Sequence, residues 1–317
     1  MKYVHNKLVV GLPVFNENRF IHDTLDSLAS QTYKNFMVLI ADNASDDGTS
    51  EICQAFCNKD NRFMYHRQIS NIGASANWEF IYNNSESPYL MWLGAHDKIE
   101  QVYLEKQLKI IETNKNIALV YSRIARIDEQ GNMIRTSSGG EFIYNEDSGL
   151  IRYIKTAIGP SNEDTAMDGI FRRSALKGTK FYRFHAAGLF ILTKAQFYGK
   201  FYRTENPIYL RREFKNRETD VRERLTGKKT NIKIKIPNVF PLIYAQISDY
   251  LTLDTTLKEK VIKFPSLIWG LFKARIIRDL FIRDIGSLML GNMLNITPLW
   301  VKDFVKKRRN RKRLSMN

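Results

Sequence analysis

Residues 40–49 read Ile-Ala-Asp-Asn-Ala-Ser-Asp-Asp-Gly-Thr, an apolar run that passes directly into carboxylates, amides, a hydroxyl and a glycine. That composition predicts a strand that stops in a polar, tightly turned site. Two other segments have the same form. Residues 8–14 lead into Phe15-Asn16-Glu17-Asn18, and residues 89–93 lead into Gly94-Ala95-His96-Asp97. Between the first two runs, Phe20, Ile21, Leu25 and Leu28 fall at helical spacing ahead of a β-rich stretch at 36–40. Strand, helix and strand within about forty residues predict a βαβ unit. Helices are also expected at 49–56, opened by Thr49 or Ser50, and from Gly73 to Asn84, with a further strand at 118–121. Open α/β sheets bind ligands at the carboxyl ends of their parallel strands, where helix amino ends converge.

The 317 residues are 44% hydrophobic and 12% aromatic, enough to build a sizeable core and to exclude a disordered chain. The net charge of +16 is unevenly placed. Residues 1–120 hold 11 Lys and Arg against 14 Asp and Glu, so residues 121–317 hold 38 against 19. This argues against a basic groove running over the sheet, and no nucleic acid is expected as a partner. The excess points instead to an anionic surface such as a membrane face. Cys53 and Cys57 stand four apart without further Cys or His partners, so reduced thiols of a cytoplasmic protein are expected. The first strand follows within a few residues of the amino terminus, leaving no room for a signal peptide.

Four motifs stand in order: Gly11-Leu12-Pro13-Val14-Phe15-Asn16-Glu17, then 41–49, then Asn71-Ile72-Gly73-Ala74-Ser75-Ala76-Asn77, then Gly94-Ala95-His96-Asp97. Together they resemble the donor-binding half of a family 2 glycosyltransferase of the GT-A fold, the type that builds bacterial polysaccharides and lipid-linked glycans. A weaker likeness continues from Asp168-Gly169-Ile170-Phe171-Arg172-Arg173 through Gly199-Lys200-Phe201 to Tyr209-Leu210-Arg211-Arg212, where family members build the acceptor side. The resemblance implies an α/β, Rossmann-like domain over 1–230, with a donor half of about 1–125 and an acceptor half of about 126–230. It implies inverting transfer of a sugar from a nucleotide-diphosphate sugar to a glycan or lipid-linked saccharide. A homologue that binds donor without efficient transfer is the alternative, and a nucleic-acid-binding protein using its basic tail is a second.

The donor-binding residues implied by the resemblance are Pro13, Phe15, Glu17, Asp42, Asn43, Ser45, Asn71, Gly73, Asn77, His96 and Asp97. Pro13 and Glu17 flank a strand-to-helix turn that walls the nucleobase or simply starts a helix. Asp42 ends a strand, where a carboxylate accepts hydrogen bonds from a base or ribose; Asp42 and Asp47 equally suit a helix cap. Gly73 lacks a Cβ, so the chain there can approach a diphosphate closely. Asp97 is expected to hold a divalent cation, Mn or Mg, against the leaving diphosphate. Family members place Asp-x-Asp here, whereas this chain has Ala95-His96-Asp97. His96 either replaces the missing carboxylate, favouring manganese, or bonds a neighbouring loop.

An acceptor hydroxyl needs a general base. Relatives place an Asp about eleven residues before the Gly-Lys-Phe at Gly199, and that position is Gly188 here. His185 and Asp168 are the expected candidates, with Glu163 and Asp164 upstream. The likeness does not cover residues 231–317, read as a helical basic extension with helices at 255–262, 265–282, 285–294 and 298–307. The second is amphipathic and basic, and with the cationic run at 306–313 it predicts peripheral attachment to the inner face of the cell membrane. No stretch suits a transmembrane span.

Overall fold

The computed structural model describes residues 6–137, 143–159, 166–183, 187–214 and 239–273. The amino-terminal half alternates strand and helix: β1 (Leu8–Val14), α1 (Ile21–Ala29), β2 (Phe36–Asp42), α2 (Thr49–Cys57), β3 (Phe63–Arg67), α3 (Ala74–Asn84) and β4 (Tyr89–Trp92). These four strands are parallel neighbours in the order β3-β2-β1-β4. Each crossover helix returns the chain to the same end of the strands, which makes the neighbours parallel, and after β3 the chain crosses to the other side of β1 to lay down β4.

The sheet continues with β5 (Lys98–Ile99), β6 (Ile117–Ile127), β7 (Met133–Ser137), β8 (Ile170–Arg172) and β9 (Lys200–Arg212), interleaved with α4 (Tyr103–Thr113), α5 (Gly149–Ile158) and α6 (Ala187–Tyr198). Beyond β4 the order is β8-β6-β9-β5, and β8 is antiparallel to both β4 and β6. Two helices follow, α7 (Val239–Leu251) and α8 (Leu257–Lys273).

Period-two alternation divides the core into two layers. Leu8, Val10, Leu12 and Val14 meet Val38, Ile40 and Met91 on one face, covered by α1, α2 and α4 through Ile21, Leu25, Cys53, Leu104 and Leu108. Val9, Leu39, Leu90 and Trp92 face the other layer, with Ile81 of α3, Tyr153 of α5 and Phe190 of α6. Gly11 is required on that second face: a Cβ there would stand 2.3 Å from Ile81 Cγ2. A strand buried on both sides reads as a nearly unbroken apolar run, which is why residues 8–14 and 36–42 are so legible.

The described helices beyond residue 231 share this core. Leu242, Ala245, Tyr250, Leu267 and Leu271 are buried in the second layer, where α8 lies on α5 and Gly270 abuts Ile158. Two helices were expected at 255–262 and 265–282, but α8 runs through Pro265 as one helix. Pro265 sits on its exposed side, where the Val261 carbonyl that loses an N–H partner can reach water. The part of the second expected helix beyond 273, those at 285–294 and 298–307, and the cationic run 306–313 lie outside the described residues. No helix among the described residues is long and apolar enough to cross a membrane.

Candidate active site

Val14, Asp42, Arg67 and Trp92 end four adjacent parallel strands, so the polar segments after them share one pole of the sheet. Loop 16–18 is laced to loop 45–49. The Asn16 backbone N–H donates to Ser45 Oγ at 3.0 Å, and its amide exchanges hydrogen bonds with Asp46 at 2.8 and 3.0 Å. The Glu17 N–H donates to Thr49 Oγ1 at 2.9 Å and the Asn18 N–H to Asp47 Oδ2 at 3.1 Å. Asp47 Oδ1 also accepts the Thr49 N–H at 3.1 Å, so Asp47, just before the Gly48 N-cap, satisfies the first N–H of α2. Asn16 and Ala44 both have positive φ, 53° and 65°. Asn tolerates this backbone, whereas alanine seldom adopts it and Ala44 is held there by its laced neighbours.

Asp42 is fully buried. Its Oδ1 accepts from the Ser45 N–H at 2.9 Å and Ser45 Oγ at 2.6 Å; its Oδ2 accepts from Ser50 Oγ and Tyr65 Oη at 2.6 Å and Arg67 Nη1 at 3.0 Å. Burial alone raises the carboxyl pKa, but the hydrogen bonds from Ser45, Ser50 and Tyr65 outweigh it and hold the group below the ordinary carboxylate range. Both oxygens are thus taken by protein donors, and a nucleoside would reach Asp42 only by displacing one. The group next to it that faces solvent is the Arg67 guanidinium.

A second amide net shapes the loop before α3. Asn43 Nδ2 donates to Asn71 Oδ1 at 2.7 Å, the Gly73 N–H donates to the same oxygen at 2.9 Å, and Asn43 Oδ1 accepts the Ile72 N–H at 2.9 Å. Buried Asn77 donates to the Ala41 carbonyl at 2.6 Å, fixing the first turn of α3 to the end of β2. Gly73 precedes the helix at φ 83° and ψ 156°, a conformation open essentially to glycine. The amino end of α3 has no side-chain cap and no acidic residue in its first turn, which leaves a positive dipole end at the pole.

Beyond β4, Asp97 is buried and serves as a bolt: Oδ1 accepts the Arg212 N–H at 2.9 Å and Oδ2 accepts Tyr209 Oη at 2.7 Å. The Arg212 guanidinium donates to the His96 carbonyl, to the carbonyls of Asp128 and Glu129, and to Asp23 Oδ2 at 2.7 Å. His96 Nδ1 lies 2.8 Å from Glu17 Oε1, which joins the first and fourth motifs. Each Asp97 oxygen accepts one hydrogen bond and keeps a second lone pair, so a divalent cation, expected at Asp97 from sequence, would share the carboxylate with Tyr209 and Arg212. Among the described residues no three His, Cys, Asp or Glu side chains converge as a metal site. The missing carboxylate falls at buried Ala95, and the partly exposed group beside it is His96.

Asp168 precedes β8 and is ion-paired through Oδ2 with Arg211 Nη2 of β9. Gly188 lies in the first turn of α6, where relatives are expected to carry a carboxylate. His185, Glu163 and Asp164 lie outside the described residues.

Comparison with known sequences decides the family: the description Glycosyl transferase family 2 matches residues 9–178, more than half the chain. The chain belongs to glycosyl transferase family 2. Among curated relatives, the glycosyltransferase GlyA of Streptococcus pneumoniae is 36% identical over 117 residues, covering 37% of this chain and 17% of the relative. An uncharacterized glycosyltransferase of Methanocaldococcus jannaschii is 28% identical over 139 residues, 43% of this chain and 48% of that one. The matches thus span less than half of these relatives. In three dimensions this family 2 chain is similar to Staphylococcus aureus TarS 1–349, solved in complex with UDP-GlcNAc, with a TM-score of 0.62 at 16% identity over 90% of this chain and 81% of that one. The Pyrobaculum calidifontis mannosyltransferase PcManGT, solved with GDP-Man and Mn2+, gives 0.51 at 11% identity, covering 90% and 88%. These likenesses establish the GT-A architecture.

The family 2 residues named from sequence divide into two groups. Asp42, Asn43, Ser45, Asn77 and Asp97 are buried with protein partners and build the framework, whereas Phe15, Glu17, Asn71 and His96 reach the surface of the pole. Pro13 is half-buried in β1 and Gly73 buried before α3. Arg67 and Arg212 were missed. Arg67 ends the short run 63–67, whose weak β character gave no strand from sequence. Arg212 stood in the Tyr209-Leu210-Arg211-Arg212 motif without an assigned role, and its partners lie far away in sequence.

Proposed function

We propose that this chain is an inverting glycosyltransferase that moves a sugar from a nucleotide-diphosphate sugar to a glycan or lipid-linked acceptor, working at the cytoplasmic face of a membrane. The observation that carries this is the pole itself, where Phe15, Arg67, Asn71 and His96 lie at the same ends of the parallel strands as the uncapped amino end of α3. Phe15 is 40% exposed and offers an aromatic face to a nucleobase. Arg67, held flat by Asp42, offers a guanidinium edge to the base or phosphates. As the sugar leaves, charge grows on the diphosphate, and the α3 amino end and Arg67 meet it without proton transfer.

The acceptor hydroxyl attacks the anomeric carbon as the bond to the diphosphate breaks, and its proton passes to a base. Asp168 shares its carboxylate with Arg211, so His185 is the base tested first. His185→Ala is expected to lower kcat by about a hundredfold or more with donor affinity unchanged. Full turnover in that variant, with loss in Asp168→Asn, would transfer the role to the carboxylate.

Calorimetric titration with UDP, GDP, dTDP and CMP, with and without manganese, tests the donor site. One nucleoside diphosphate is expected to bind, with affinity falling about tenfold or more in Arg67→Ala. Binding of none of the four would sink the reading. A manganese requirement abolished by Asp97→Asn but not by His96→Ala would assign the cation to Asp97.

A further inference from the structure

Helix α8 is apolar on two opposite sides. Its inner side buries Leu267 and Leu271 against the core. Its outer side carries Leu257, Val261, Ile262 and Trp269, exposed by 75%, 63%, 58% and 65%. At about 100° per residue these four and Pro265 fall within an arc of about 140°, and they run about 18 Å along the axis. A helix that packs one face needs polar residues on the other; an outward apolar stripe with a Trp in it marks a contact surface.

We propose that this stripe is the membrane-docking surface of the chain and that it seats in the headgroup region of an anionic bilayer. The inference deepens the membrane-side reading above and rests on it. Charge selects the occupant. Lys258, Lys260 and Lys263 stand on α8 with Glu259, and residues 274–317 hold 11 Lys and Arg against 3 Asp. Two copies of a chain at +16 repel each other across such a face, whereas acidic lipid attracts it and the apolar side chains then enter the acyl boundary. From sequence the docking face was expected on 265–282, with Leu271 among its apolar residues. Of that expected face the structure turns Leu271 inward and Trp269 outward, and residues 274–282 lie outside the described residues.

The test is co-sedimentation of the full chain with phosphatidylcholine vesicles, with and without phosphatidylglycerol. Binding to the acidic vesicles is expected, weakened about tenfold or more in Leu257→Gln/Val261→Gln. Brominated lipid should quench tryptophan emission in the wild type, and less in Trp269→Phe at matched vesicle occupancy. Wild-type vesicle affinity and quenching in the double variant would overturn the proposal and assign docking to the basic tail alone. A dimer by light scattering that the double variant dissociates, with no vesicle binding, would assign the stripe to a second copy. Nucleoside diphosphate titration of the same variant is expected to match wild type, so failure of the docking surface and failure of the donor site are read separately.

Discussion

Arg212→Met is expected to lower the folding free energy by about 3–5 kcal/mol, the range for breaking a buried charged network, and to move the urea midpoint accordingly. The guanidinium is almost fully buried and spends its donors on the His96, Asp128 and Glu129 carbonyls and on Asp23. It therefore clamps the turn after β4, the turn after β6 and the first turn of α1 together. A carbonyl left without its donor in such a place costs about 1–3 kcal/mol, and a thioether fills the space but carries no N–H. Arg212→Lys separates charge from shape: an ammonium keeps the charge but lacks the planar fork, and should recover less than half of the loss. A Met variant that unfolds at the wild-type midpoint would show that the turns hold without the clamp.

Asp42→Ala should cost about 3–5 kcal/mol at neutral pH and abolish nucleotide binding, since five donors lose one buried acceptor group. The pH dependence gives the check its sign. The folded carboxyl pKa lies below its unfolded value of about 3.9, so the ion's stabilisation is complete above that value and fades as pH falls through the folded pKa. The stability gap between wild type and variant should thus be flat near neutrality and close in strong acid. Parallel denaturant titrations across the acid range measure it. A gap that widened on acidification would mean that the carboxylate is not the species that holds Ser45, Ser50, Tyr65 and Arg67.

Legibility followed the number of faces a segment buries. β1, β2 and β4 are covered on both sides and read almost to the residue. β9 carries charged residues and Pro207 yet pairs with both β6 and β5, so neither alternation nor propensity announced it. α7 is apolar nearly all round, Val-Phe-Pro-Leu-Ile-Tyr-Ala, and shows no clear stripe.

The sequence by itself determined the family, the α/β order of the first half and the pole at which polar loops gather, because strand-ending motifs are local and each residue type in them answers a local backbone need. Only the tertiary structure decided which of those polar residues are framework and which face solvent. Asp42 and Asp97 both stand in strand-ending motifs, but Tyr65 and Arg67 join the local Ser45 and Ser50 on Asp42, while Tyr209 and Arg212, more than a hundred residues away, hold Asp97. A side chain's partners across that separation are set by sheet order and register, and a reading along the chain does not contain them.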